Sequence, residues 1–352
     1  MYNYILLNMI YLIDPTKDVY SHHIVYLNNL LKIKGTIALQ LNVNTKKMKP
    51  NFLSVLRYYY ALRKQLMEVP KGNIAHLLYS DIYYKIPFVS SWLLGRNKTI
   101  VTMHSFPNGK FKHILLRNFC RRVEMVVVHS QFIKEQFEKI GINNVCCIDY
   151  PSFYDYSKLE TKEVLRNRAA IKSSSIVFSA LGGIRYDKGL DILLNAFKYI
   201  NEDYKNRIIL NVAGSEGFMT SGQIELLCKN LGINHRLTIR PLTDEEFLEN
   251  VKISDYMVLP YRTNMTGNSG PMTEAIVNTI PSIVPKDSNL GYIAEEYRVG
   301  LTFQQENCKD LARCIMAACD NRYNCDEKYA NKLSKESFID AHRKLYKNII
   351  FE

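Results

Sequence analysis

Residues 256–281, YMVLPYRTNMTGNSGPMTEAIVNTIP, decide how the rest of the chain is read. The apolar run Tyr256–Pro260 has the character of a strand. Thr263–Gly270 is a polar loop containing glycine, and Met272, Ala275, Ile276 and Ile280 then recur at helical spacing. A loop that leads into a helix start presents backbone N–H groups without intrahelical partners, together with the positive end of the helix dipole. That combination attracts anions, phosphate above all. Glu274 lies about one turn into the helix, within reach of a ligand held at its start. The stretch reads as the grip on a nucleotide diphosphate.

Working outward, the same strand–loop–helix grammar recurs on both sides. Ile176–Leu181 is an expected strand followed by Gly182-Gly183 and the helix Leu190–Ile200. Arg207–Ala213 ends at Gly214, Leu237–Arg240 is a strand, and Gln223–Leu231 and Asp244–Val251 are helices. Ile283–Val284 and Thr302–Phe303 are weaker strands. In the first half, strands are expected at Tyr4–Ile13, Thr36–Leu41, Ile74–Tyr79, Thr99–Met103, Met125–His129 and Val145–Ile148. Helices His22–Leu31, Phe52–Met67, Lys112–Arg121 and Ser130–Ile140 lie between them. Alternating strands and helices predict an α/β fold with mostly parallel sheets covered on both faces. Phe153–Ser174 is polar and is read as linker. The expected organisation is two Rossmann-like domains, 1–165 and 166–333, facing across a cleft, and a closing helix, 334–352, packing back toward the first.

The chain's 352 residues exceed one ordinary core, and 47% hydrophobic with 23% charged residues is a globular composition. Tyr4–Ile13 lacks a basic leader and is too short to span a bilayer, so it is read as a buried strand and the protein as cytoplasmic. The eight cysteines form no C-x-x-C pair, which fits reduced thiols. The net charge of +12 is uneven. Residues 1–165 hold 22 basic and 11 acidic residues, and residues 166–352 hold 24 and 23. A basic first half implies an anionic partner such as a membrane face or a phosphate-bearing lipid acceptor. The charges are dispersed and accompany no nucleic-acid-binding motif, so no nucleic-acid partner is expected.

Arg185 and Lys188 stand three apart at the mouth of the turn after Gly183. A guanidinium and an ammonium there suit a diphosphate whose negative charge grows as it leaves. His104 follows the strand Thr99–Met103, placed to hydrogen-bond a sugar hydroxyl, whereas His76 and His129 read as structural. No G-x-G-x-x-G follows the first strand, which argues against a dehydrogenase. No H-E-x-x-H and no D-x-D pair occurs. A metal bridging a diphosphate usually needs such carboxylates, so no metal and no cofactor are expected.

These pieces resemble a GT-B glycosyltransferase. The second half resembles family GT4, retaining transferases that use nucleotide-sugar donors. The likeness is carried by LGGIRYDKGLDILLNAF (181–197), LNVAGSEG (210–217), ISDYMVLPY (253–261) and SGPMTEAIVNTIPSIV (269–284), with VTMHS (101–105) and VVVHSQFIKEQF (126–137) in the first half. The resemblance implies Arg185 and Lys188 on the donor diphosphate, the backbone of Ser269 and Gly270 beside the phosphates, and Glu274 on the ribose. It places Gly214 and the Arg240–Leu242 loop near the base and His104 toward the donor sugar. Two departures stand out. The family's first motif acid is here Thr266, and the usual glycine pair after the first strand is replaced by Asp14 to Ser21. The expected activity is retaining, metal-independent transfer of a sugar to a glycan or lipid-diphosphate-linked acceptor in surface polysaccharide synthesis, with the protein peripheral on the inner membrane face. A sugar-nucleotide epimerase of the same fold and a non-catalytic nucleotide-binding relative are the alternatives.

Overall fold

The computed structural model describes residues 9–14, 21–39, 52–85, 92–94 and 97–351, apart from the side chains of 21, 22 and 52–55. The chain divides into two units, Met1–Phe153 with Ser334–Glu352, and Tyr154–Leu333. The first contains β1 (Ile10–Ile13), β2 (Thr36–Leu39), β3 (Ile74–Leu77), β4 (Lys98–Thr102), β5 (Met125–Val128) and β6 (Val145–Cys147). They form one parallel sheet in the order β2-β1-β3-β4-β5-β6. The second contains β7 (Ile176–Leu181), β8 (Ile208–Ala213), β9 (His235–Thr238), β10 (Tyr256–Val258), β11 (Ser282–Pro285) and β12 (Gly300–Phe303). Their order is β12-β11-β10-β7-β8-β9, again wholly parallel.

Strands buried on both faces must be apolar along their length rather than alternating. This is why IAHL, MVVV and SIVP could be read as strands, and all but one of their residues are buried. Both sheets are doubly wound. In the second, the chain runs from β7 outward to β9, then returns to lay β10 on the other side of β7. The place where strand order reverses is therefore the β7–β10 boundary, and ligands in such sheets gather at the carboxyl ends of those strands.

The polar stretch read as linker contains the helix Lys162–Arg168, capped by Thr161. Lys162 and Arg166 both pair with Asp255, at 2.7 and 3.0 Å. That attachment brings the helix into the second unit, so the division falls at Phe153/Tyr154 and not at 165/166. Helices Asn289–Glu296 and Cys308–Asp320 were not foreseen. The expected ends of the first two strands, Tyr4–Asn8 and Gln40-Leu41, lie outside the described residues, as does Pro15–Tyr20 of the loop after β1. No disulfide forms among the described residues.

The closing helix Lys335–Phe351 packs on the first unit. Phe338, Leu345, Tyr346 and Ile349 join Ile10, Leu12, Tyr26 and Leu30 in one core. Each such side chain contributes about 1.5–3 kcal/mol on burial. The same core holds three fully buried histidines. His76 bridges Tyr346 Oη (2.7 Å) and Thr102 Oγ1 (2.8 Å). His129 Nδ1 donates to the Ile148 carbonyl at 2.7 Å. His342 Nδ1 donates to the Phe338 carbonyl at 3.0 Å, while its buried Nε2 has no hydrogen-bond partner among the described residues.

Burial holds all three histidines neutral, with His129 and His342 each lowered to about 3 and His76 well below its usual value. The unfolded chain takes up protons near pH 6.5 that the folded chain refuses, so stability is complete above that pH and falls as the pH drops from about 6.5 toward 3. His342→Leu should leave stability at pH 8 unchanged or higher and remove about one proton from the acid limb. Urea melts from pH 8 to pH 4.5 test this, and parallel acid limbs for variant and wild type would refute it.

Candidate functional site

The site is built at the carboxyl ends of β7 and β10 from two loops far apart in sequence. After β7 the chain passes Gly182 at φ 101° and Gly183, makes a short 3-10 turn at Tyr186–Lys188, and enters the helix Leu190–Ala196 through Gly189 in the left-handed region. After β10 it runs from Tyr261 through the loop to the helix Gly270–Val277. Ser269 caps that helix by accepting from the Met272 N–H, a contact of the kind that contributes about 1 kcal/mol. Pro271 sits in the first turn, where a missing N–H breaks no helical bond. Tyr261 Oη lies 3.0 Å from Ser269 Oγ and closes the loop on itself. Asn289, which is buried, donates to the Gly267 carbonyl at 3.3 Å and to Asn268 at 2.5 Å.

Arg262 staples the two loops together. It is only 8% exposed and pairs with both carboxylate oxygens of Asp191, at 3.0 and 2.7 Å. It also donates to the Tyr186 carbonyl at 2.5 Å and lies over the Tyr186 ring at 3.9 Å. Its backbone N–H donates to the Asp187 carbonyl. Gly189 packs so closely that an added Cβ would stand 2.1 Å from the Pro260 carbonyl oxygen. A cavity of about 30 Å3 lies at the junction, lined by Gly182, Gly183, Lys188, Leu259, Pro260 and Tyr261 among others.

Of the expected residues of the second half, Gly183 and Lys188 line this cavity. Lys188 makes no ion pair among the described residues, and its ammonium lies 5.6 Å from the centre of the Tyr261 ring. Arg185, in contrast, is committed to Asp187 through Nε (2.9 Å) and a terminal nitrogen (2.6 Å). Those bonds hold the Asp187 carboxyl below its usual range. Gly183 and Gly270 face open space, whereas Gly214 is pressed against the backbone of Gly182. Thr266 is half-buried in the loop, and Leu242 packs at the edge of the core that holds Leu181, Ala213 and Met272. Glu274 is 4% exposed and accepts a 2.9 Å hydrogen bond from Tyr156 Oη. Burial, then the carboxylate itself, keep the Tyr156 hydroxyl protonated and donating.

Neither the Arg262–Asp191 staple nor Tyr156 was foreseen. Both partners of the staple lie within quoted motifs, but nothing local links positions 71 residues apart. Tyr156 lies in the stretch taken as linker.

His104 belongs to the first unit. Its backbone N–H donates to Asp81, and Ser105 gives the same carboxylate a backbone and a hydroxyl hydrogen bond at 2.9 and 2.6 Å. Asp81 is half-buried, and its loss of hydration raises its pKa against these bonds. His104 Nε2 lies 2.9 Å from the Leu78 carbonyl, which requires the proton on Nε2. The ring stacks on Tyr79, whose other face carries His23, with centroid distances of 4.1 and 3.3 Å. His76 and His129, read as structural, are fully buried.

A larger groove, about 1090 Å3, opens at the opposite, amino-terminal ends of β7 and β10. Lys162 and Arg166 line it and share the one carboxylate of Asp255, and the glycine loops lie at the other end of the strands. Among the described residues no cluster of three His, Cys, Asp or Glu side chains is arranged to hold a metal, and no helix is long and apolar enough to cross a membrane.

Gly214 has φ 147°, and an added Cβ would lie 2.1 Å from the Gly182 carbonyl oxygen, an overlap between two backbones. Gly214→Ala should therefore cost at least ~3 kcal/mol, whereas Gly183→Ala should cost less than ~1 kcal/mol. Urea unfolding of the pair tests the junction, and a Gly214→Ala protein as stable as wild type would contradict it.

The fold is shared with solved glycosyltransferases of the two-domain GT-B class. Sucrose-phosphate synthase (tll1590) from Thermosynechococcus elongatus superposes with a TM-score of 0.72 at 13% identity, covering 97% of this chain and 98% of that one. Anabaena Alr3699/HepE in complex with UDP gives a TM-score of 0.72 at 12% identity, covering 97% and 100%. The α,α-trehalose-phosphate synthase (UDP-forming) from Burkholderia xenovorans gives 0.66 at 7% identity, covering 98% and 100%. No curated protein matches by sequence. The family model described as glycosyl transferases group 1 matches residues 161–338, which takes in both loops and the helix between β10 and β11. The chain belongs to the group 1 glycosyltransferases.

Proposed function

We propose that the β7–β10 junction holds the diphosphate of a nucleotide-sugar donor and that the protein transfers the sugar with retention, without a metal, to a glycan or lipid-diphosphate-linked acceptor. The observation that carries this reading is the meeting of Lys188, the open backbone of Gly183 and the Ser269–Gly270 helix start at the strand-order reversal. An ammonium and a helix start suit a diphosphate without any carboxylate-bound cation. The UDP complex of the structurally similar HepE makes uracil the first base to try.

Arg185 would join the phosphates by exchanging Asp187 for the ligand, since its guanidinium is exposed and the exchange keeps it paired. Glu274, fixed by Tyr156, is proposed to accept from the ribose. Gly214 and Leu242 would border the base and Thr266 the sugar, while His104 is proposed as the first unit's contact with the donor sugar. In the reaction the bond from the anomeric carbon to the phosphate oxygen breaks. The acceptor hydroxyl bonds to the same face of that carbon and its proton passes to the departing diphosphate. The lipid-linked acceptor and a peripheral place on a membrane are supported by the basic first half.

NMR of the product should show the anomeric configuration of the donor, with rates unchanged by EDTA. Lys188→Ala should lower kcat about 100- to 1000-fold. An inverted product would exclude the retaining reading. Donor turnover that needs no acceptor and yields an isomerised nucleotide sugar would favour an epimerase instead.

A further inference from the structure

On one face of the first sheet, the helices Phe52–Glu68 and Lys110–Cys120 and the segment around Trp92 share a single core, to which they contribute Leu62, Leu66, Leu93, Leu116 and Phe119. Their outer sides are not polar. Phe111 is 67% exposed, Ile114 48% and Tyr60 65%, and Leu56, Met67 and Trp92 are exposed as well. Phe111, Ile114 and the half-buried Leu115 fall at helical spacing along one stripe.

Cations flank that stripe. Lys110, Lys112, Arg121 and Arg122 are exposed and Arg117 is half-buried, all on or just after the same helix. Residues 82–123 contain eight Lys and Arg and no Asp or Glu. The nearest ion pairs, Lys98–Glu124 and Lys134–Glu138, involve none of the five helix cations.

From this we infer that the outer face of Lys110–Cys120, together with the exposed Tyr60 and Trp92 (whose ring carries the Arg63 guanidinium at 4.9 Å) of the elements that share its core, is a docking surface for an anionic phospholipid bilayer. Exposed aromatic and aliphatic side chains ringed by lysine and arginine match the acyl–headgroup boundary, where the apolar groups bury and the cations meet lipid phosphates. A second copy of the chain would instead bring like charges together. The inference rests on the proposed lipid-linked acceptor for its purpose. The helix begins shortly after the loop that carries His104, so docking there would bring a membrane-borne acceptor to that loop.

Trp92 is the only tryptophan in the chain, so its fluorescence reports this surface alone. Full-length protein would be mixed with vesicles of phosphatidylcholine alone, or of phosphatidylcholine with phosphatidylglycerol. Trp92 emission should shift to the blue and the protein should co-sediment with the anionic vesicles only, less so at high salt. The double variant Phe111→Ser, Ile114→Ser should lose about tenfold in partitioning, and Lys110→Gln with Lys112→Gln should weaken it too. Both variants should melt and bind nucleotide like wild type. No binding to anionic vesicles, or equal binding by the Phe111→Ser, Ile114→Ser protein, would overturn the assignment. So would lipid-free self-association abolished by that double variant, which would make the surface a contact between copies. Nucleotide binding is scored separately, so its loss would count against the donor site and leave the docking surface untouched.

Discussion

The bidentate pair between Arg262 and Asp191 is the contact on which the donor site depends. It joins the loop after β10 to the first turn of the helix after β7, with the guanidinium buried and the Asp191 carboxylate partly open to water. Removing Asp191 costs more than the pair contributes net, because the Arg262 charge stays buried without it. The glycines act with it. Gly189 lies against the Pro260 carbonyl and Gly214 against the Gly182 backbone, so three strand ends converge with no side chain between them. The functional groups follow from that closeness. Lys188 sits above Tyr261, Tyr261 holds Ser269, and Ser269 starts the helix Gly270–Val277. A disturbance at Arg262 would reach every one of them.

In the first unit the order comes from stacked rings. Tyr79 lies between His23 and His104, and Asp81 gathers the backbone around His104 with three donors. The position of His104 is thus set on two sides by groups that do not react. Beneath it, neutral histidines and tyrosines replace aliphatic packing, which is why this unit should feel acid so strongly.

Much of this could be read in the sequence because doubly buried parallel strands are short apolar runs bounded by glycine or by a helix cap. Ile176–Leu181 is identical in sequence and structure, and Gly182, Gly183, Lys188 and Ser269 stand where the turn chemistry put them. Local periodicity could not show contacts that depend on strand order. The reversal between β7 and β10 makes neighbours of Asp191 and Arg262, and packing alone brings Tyr156 to Glu274. The helix Lys162–Arg168 was hidden for a related reason. Its seven residues are mostly charged, and the carboxylate that anchors it, Asp255, is distant in sequence. Arg185, expected on the phosphates, pairs here with Asp187 two residues further on, a contact between neighbours that the charge pattern alone does not reveal.

The central claim is that the β7–β10 junction binds a nucleotide diphosphate, and a metal-free thermal-shift panel of UDP, GDP, ADP, CMP and their sugar conjugates tests it most directly. A ligand bound only by the native state raises the melting temperature by mass action. One nucleoside diphosphate should stabilise the wild type and fail to stabilise Lys188→Ala. A panel in which no nucleotide shifts the wild type at millimolar concentration, or in which Lys188→Ala responds like the wild type, would contradict the account.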